Sequence, residues 1–124
     1  MILGLGVDIV ATSRFLSWSS NPHKAERFFA KEELEYIYSR GKKTHLSFSS
    51  HFAAKEACGK ALGVGLKGIS LKDIITVHKE GGVPILLLKG RAKAVFESLE
   101  ATSLHLSLSH EREYAVAVVI IEKL

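Results

Sequence analysis

Residues 44–63 read THLSFSSHFAAKEACGKALG. Alanines at 53, 57 and 61 recur every fourth position, so at about 100° per residue they line one face of a helix, with Phe48 and Phe52 on its flank. Thr44 or Ser47 opens this helix, and Gly63, just past Leu62, closes it. Glu56 falls between the alanine stripe and the phenylalanines, and Lys60 follows in the same row one turn on. An i,i+4 Glu-to-Lys pair is worth about 0.3–0.5 kcal/mol on a helix surface, and by spacing alone that ordinary role accounts for both residues. The two charges nonetheless project toward a region bordered by apolar side chains, which makes them candidates for chemistry.

Upstream of this central helix, Lys31–Arg40 is polar with Leu34, Ile37 and Tyr38 at helical spacing and Gly41 as a stop, which predicts a surface helix. Asn21-Pro22 interrupts any helix before it. Ile2, Val7, Ile9 and Val10, with Gly4 and Gly6, read as a short strand ending around Asp8 to Ala11, after which Thr12 or Ser13 can cap a helix. Downstream, Ile74, Ile75 and Val77 lead through Lys79-Glu80-Gly81-Gly82 to Pro84–Leu88, a hairpin pattern. Gly90–Leu99 reads as another helix. Leu104, Leu106 and Leu108 alternate with His105, Ser107 and Ser109, a strand with one apolar and one polar face. Tyr114–Ile121 is apolar without alternation, as in a strand covered on both faces. The pattern is α+β, an antiparallel sheet packed on a long central helix, in one domain spanning residues 1–124.

A chain of 124 residues with 47% hydrophobic and 24% charged side chains has the composition of an ordinary globule, and its two prolines and ten glycines argue against low complexity. The longest apolar runs, Tyr114–Ile121 and Val83–Leu88, fall far short of the roughly 18–20 residues that cross a bilayer. The opening MILGLGVDIVATSRF has no basic leader and reaches Asp8 early, so no secretory signal is expected, and the single cysteine, Cys58, fits a reducing, cytoplasmic setting as a small buried hydrophobe. A net charge of +4 favours anionic partners. Nucleic acid is not expected among them, because the basic residues form no run and there is neither a Cys/His finger nor an aromatic-basic strand.

Gly63, Gly65 and Gly68 spell the dinucleotide fingerprint GxGxxG, but here it leaves a helix and enters strand-like sequence. The fingerprint needs the reverse order, so that helix N-terminal amides meet the pyrophosphate. A helix cap and turn is the simpler reading, with glycines that still let a ligand approach the backbone. Asp8 interrupts an otherwise apolar strand; turn formation or capping explains it, and so does convergence with Glu56, which would give the pair of carboxylates that Mg²⁺ takes while keeping positions for waters and phosphate. His105, Ser107 and Ser109 lie on one strand face and His110 starts the following turn, either as a solvated face or as a phosphate receptor. No GxSxG elbow is present, and His23, His45, His51 and His78 have no metal-ligand spacing.

Taken together, GLGVDIV (4–10), FAAKEACGKALG (52–63) and HLSLSHEREYAVAVVI (105–120) resemble the holo-acyl-carrier-protein synthases, the small branch of the 4′-phosphopantetheinyl transferases. The likeness covers nearly the whole chain. It implies Mg²⁺-dependent transfer of 4′-phosphopantetheine from coenzyme A to a serine of apo acyl carrier protein, release of adenosine 3′,5′-bisphosphate, and a homotrimer with active sites between subunits. By resemblance Asp8 and Glu56 are the metal ligands, and Lys60 meets the phosphates and stabilises the leaving group; the acceptor serine also needs a base, and Glu56, directly or through a metal-bound water, is the nearest candidate. Coenzyme A contacts are implied at Lys60, Gly63, Gly65 and Pro84, and at His51, His105, Ser109 and His110. Val10 stands where the larger relatives carry a third acid, His51 where an arginine often precedes the FAAKE run, and Val83 where a basic residue commonly precedes Pro84. From Arg14 to Arg27, Arg14, Lys24 and Arg27 outweigh Glu26, and Trp18 adds a large apolar side chain; the segment either covers the core or docks the acidic carrier protein. The alternative function is a non-catalytic coenzyme A- or nucleotide-binding oligomer of the same fold.

Overall fold

The computed structural model describes residues 1–64 and 67–124. In chain order it contains β1 (Ile2–Ala11), α1 (Pro22–Phe28), α2 (Lys31–Tyr38), α3 (Thr44–Ala61), β2 (Ile74–His78), β3 (Pro84–Leu88), α4 (Gly90–Ser98), β4 (Ser103–His110) and β5 (Tyr114–Glu122), with short 3₁₀ turns between several of them. β5 is the middle strand of an antiparallel sheet in the order β1-β5-β4, and β2 and β3 form a separate hairpin.

The 18-residue α3 lies across the three-stranded sheet because both surfaces are stripped of bulk where they meet. Ala53 and Ala57 are fully buried and Ala61 nearly so. Facing them, Gly4 and Gly6 occupy alternate positions of β1, and a Cβ on either would collide with the carbonyl oxygen of Ala61 or Ala57 respectively. The glycines therefore serve a close approach of backbone to backbone rather than a turn. On the same face of β1, two residues on, stands Asp8.

The rest of the core is aromatic. Phe15, Trp18, Phe29 and Phe48 pack with ring centroids 4.7–6.2 Å apart where the 3₁₀ turns after β1 and α2 pack against α3. Trp18 is only 6% exposed, so the expectation that it contacts a partner is corrected: its ring belongs to this core, and Lys24 lays its ammonium 4.7 Å from the ring centroid. Asn21-Pro22 starts a helix instead of breaking one, since the Asn21 side chain accepts from the Lys24 amide and proline fits the first helical position, where no amide donor is needed. Thr12 and Ser13 cap nothing; a 3₁₀ turn begins at Thr12, whose hydroxyl donates to the Arg112 carbonyl. Gly41 does not simply end α2 but opens another 3₁₀ turn at φ +58°.

The two faces of the sheet differ. Ala115, Ala117, Val119 and Ile121 of β5 are sealed against α3, whereas Val116, Val118 and Ile120 are half-buried on the other face beside exposed Leu5, Val7 and Ile9. β5 is thus covered on one face within the chain, not on both.

Beneath the α2–α3 contact lies a buried ion pair, Glu33 with Lys55, both side chains without exposure. All three Lys55 donors find acceptors, in Glu33, the Leu71 carbonyl and the Ile74 carbonyl, as an ammonium requires. Glu33 also accepts from the amides of Ala30 and Thr76 and from His51 Nδ1. Burial alone would raise the Glu33 carboxyl, but the His51 hydrogen bond and the Lys55 charge outweigh it and hold it below its ordinary value.

Candidate active site

The alternation of β1 puts Asp8 on the helix side of the sheet, and the glycines before it bring α3 close enough for Lys60 Nζ to reach Asp8 Oδ1 at 3.2 Å and the Val7 carbonyl at 2.8 Å. Among the described residues Lys60 thus pairs with Asp8, 52 positions away, and not with Glu56 one turn back. Its side chain is 53% exposed, so Lys60 opens to solvent rather than into an apolar pocket. Glu56 joins the cluster electrostatically: partial burial and the Asp8 charge push its carboxyl above the ordinary value, against the pull of Lys60 and Arg14. Arg14 stacks its guanidinium 5.1 Å from the centroid of Phe52, the residue one turn before Glu56. Asp8, Glu56, Lys60 and Arg14 form one charged cluster at the edge where β1 meets α3.

This cluster fits Mg²⁺. The Asp8 charge adds to the cost of ionising Glu56, which a shared cation would relieve, and solvent on one side leaves positions for water and phosphate oxygens. Among the described residues no group of three or more His, Cys, Asp or Glu side chains gathers to form a closed site.

A second feature lies at the opposite edge of the same sheet. An open cleft of about 280 Å³ is walled by Tyr36 and Arg40 of the α2 region, Ser50 and His51 of α3, His78, Gly82 and Pro84 of the hairpin, and Leu108 and His110 of β4; Lys43 lies at its rim. The strand register explains why one chain keeps the two features apart. Asp8 and Leu108 flank Ala117 in the same row, two strand spacings or about 10 Å across the sheet, with α3 between them.

The sequence candidates divide accordingly. Asp8, Glu56, Lys60 and Arg14 meet at the first edge; Pro84, His110 and His51 line the cleft at the second. His51 is corrected in role: it is 1% exposed and both ring nitrogens are engaged, Nδ1 with Glu33 at 3.0 Å and Nε2 with His78 at 3.2 Å, which leaves no donor for a ligand. Ser109 and His110 lie on opposite strand faces, because period-two alternation sends Ser109 outward with Val116 and His110 inward beside Leu108, so His110 and not Ser109 lines the cleft. His105 also faces outward and bonds Glu122 at 3.0 Å. Gly63 ends α3 at φ +81°, away from the cleft lining, and Gly65 lies outside the described residues. Lys24 and Arg27 are exposed on α1.

Four residues went unnoticed in the sequence: Glu33, Tyr36, Arg40 and Lys55. Glu33 and Ile37 are one turn apart on a buried stripe, as are His51 and Lys55, and a charge on a buried stripe was the available signal.

Residues 4–119 match the sequence profile of the 4′-phosphopantetheinyl transferase superfamily. The chain is 52% identical over 122 residues to a holo-[acyl-carrier-protein] synthase of Treponema denticola, covering 98% of this chain and 99% of that one. It is 42% identical to that of Treponema pallidum, covering 98% and 97%. Among solved structures it superposes on the holo-[acyl-carrier-protein] synthase of Neisseria meningitidis with a TM-score of 0.88 and 32% identity, over 99% of this chain and 100% of that one. On the Bacillus anthracis synthase in complex with CoA (3′,5′-ADP) the TM-score is 0.81 at 32% identity, over 100% and 99%. Profile, relatives and superposition agree along the chain, and it belongs to the 4′-phosphopantetheinyl transferase superfamily, beside the holo-[acyl-carrier-protein] synthases.

Proposed function

We propose that this chain is a holo-[acyl-carrier-protein] synthase, moving 4′-phosphopantetheine from coenzyme A to a serine hydroxyl of apo acyl carrier protein with release of adenosine 3′,5′-bisphosphate. The observation that carries this reading is the convergence of Asp8, Glu56 and Lys60 from strand and helix onto one solvent-open edge. Asp8 and Glu56 would hold Mg²⁺, which when bound supplies positive charge to the pyrophosphate. The serine oxygen forms a bond to the β-phosphorus as the bond between that phosphorus and the bridging oxygen breaks, and the bisphosphate departs with the electron pair. Glu56, its carboxyl pushed up by burial and Asp8, is suited to take the serine proton. Lys60, released from the Val7 carbonyl, can follow the charge that develops on the leaving group.

The basic cleft with His110 and Pro84 suits the adenosine bisphosphate end of coenzyme A. Because one chain sets it on the far side of α3, the acids of one copy and the cleft of a neighbour would together form a complete site, within a homotrimer joined through the apolar outer sheet face. Arg14, Lys24 and Arg27 would receive the acidic carrier, with Arg14 over Phe52, one turn before Glu56, and its charge pulling on the Glu56 carboxyl. The cytoplasm is the proposed setting; Cys58 is buried, its thiol pushed up to about 12 by burial, and therefore inert. Incubation with coenzyme A, Mg²⁺ and apo carrier protein, followed by intact-mass measurement of the carrier, tests the reading. A gain of one phosphopantetheine is expected. An unmodified carrier alongside measurable coenzyme A binding would point to the non-catalytic oligomer.

A further inference from the structure

His51 and His78 stand side by side in the cleft. Its wall carries two imidazoles in series: His51 Nδ1 lies 3.0 Å from Glu33 Oε2, His51 Nε2 lies 3.2 Å from His78 Nε2, and His78 Nδ1 lies 3.4 Å from the Gly82 carbonyl oxygen. Glu33 is buried and ionised, and a carbonyl oxygen only accepts, so both ends of this chain need a proton from a ring. The middle contact needs one more. Three contacts call for three protons on four ring nitrogens, whereas two neutral imidazoles carry two. The fully bonded pair therefore bears one positive charge, whichever ring holds it.

That charge is opposed in the ligand-free protein. Glu33 is already balanced by Lys55; Tyr36 stacks on His78 with ring centroids 3.8 Å apart, His51 Nε2 meets it, and Arg40 after α2, Lys43 before α3 and His110 of β4 line the same cleft. Lys79 and Glu80 beside it extend into solvent. Burial, then His51 and Arg40, hold His78 below its ordinary value, against the Gly82 carbonyl. The wall thus has a third proton site whose filling its own neighbours oppose.

We propose that the His51–His78 pair makes the cleft a proton-linked phosphate receptor, in which a phosphate group entering beside His78, Arg40 and Lys43 is accompanied by one proton that completes the chain Glu33–His51–His78–Gly82. His78 is then the residue that reads the phosphate, and buried His51 positions it. The inference rests on the coenzyme A reading for the identity of the ligand, with 3′-dephospho-coenzyme A available to tell which phosphate is read.

Calorimetric titration of adenosine 3′,5′-bisphosphate and of coenzyme A, at about pH 7.5 in buffers of different ionisation enthalpy, counts the protons taken up. The wild-type protein is expected to take up close to one more proton per ligand than His78→Gln, which keeps a donor toward His51, or His78→Phe, which keeps the stack on Tyr36. The affinity difference between wild type and variants should widen as pH falls, by at most about tenfold per unit for one linked proton. The ligand's own ionisation is common to all three proteins and cancels. Equal uptake in wild type and both variants overturns the inference alone. Absence of binding to the wild type between about pH 6 and pH 8 overturns it together with the coenzyme A reading.

Discussion

Glu56 sits under two opposing demands. As a proposed metal ligand and base it must be ionised near neutral pH, yet burial and Asp8 push its carboxyl above the ordinary 4.5. An acid whose pKa rises on folding stabilises the fold below its unfolded value and loses that contribution as pH climbs through the folded value. At neutral pH the ionised group is therefore a cost that a bound cation would relieve. Glu56→Gln should lower transfer by on the order of 100-fold or more while leaving the metal-free protein as stable as wild type or slightly more so, an advantage that grows as pH rises from about 4.5. Mg²⁺ should raise the melting temperature of the wild type and not of the variant. A wild-type rate at limiting Mg²⁺, or an equal metal response in both proteins, would remove Glu56 from the site. This much was legible from the sequence: Asp8 broke an apolar strand and Glu56 shared a helical row with Lys60. Which partner Lys60 takes was not, because an i,i+4 spacing shows that two side chains can meet but says nothing of a strand 52 residues away.

Among the secondary-structure elements, the decisive contact is β1 against α3. Gly4 and Gly6 let the helix backbone rest on the strand, and that approach carries Lys60 to Asp8. Gly6→Ala places a methyl against the Ala57 carbonyl, which is backbone and cannot rotate away. An overpacking cost of about 1–3 kcal/mol is expected, measured by urea denaturation, with transfer activity falling further than the lost folded fraction explains because Asp8 and Lys60 separate. Ala57→Gly should not rescue it, since the collision is with backbone. Wild-type stability in Gly6→Ala would mean that α3 has slack against the sheet. The elements themselves were largely readable: the long helix, the hairpin and the alternating β4 lie where periodicity put them. The misreadings have a common cause in tertiary context. Proline after asparagine looks the same whether it breaks a helix or begins one, until the Asn21 side chain meets the Lys24 amide. Trp18 looks like a docking anchor until the aromatic core closes over it.

For the molecule as a whole, the outer sheet face raises the question of what covers it. Leu5, Val7 and Ile9 are 64%, 54% and 62% exposed, and the register continues them into Ile120, Val118 and Val116 and then into His105, Ser107 and Ser109. The surplus of apolar surface lies here. An apolar patch rimmed by polar residues marks an interaction surface. The same chain keeps its acid cluster and its basic cleft at opposite edges of the sheet, and in the proposed homotrimer a substrate that needs both would bridge two copies. Val7→Glu, which adds a charge to the middle of the patch, should shift the sedimenting species from an oligomer toward monomer and abolish transfer, although Val7 lies on the face away from the acids. Mixing a Glu56→Gln chain with a His110→Ala chain should restore part of the activity that each homogeneous variant lacks, because some hybrid sites draw intact acids from one copy and an intact cleft from the other. A monomeric mass for the active wild-type enzyme, or hybrids no more active than the sum of their parents, would place the whole reaction within one chain.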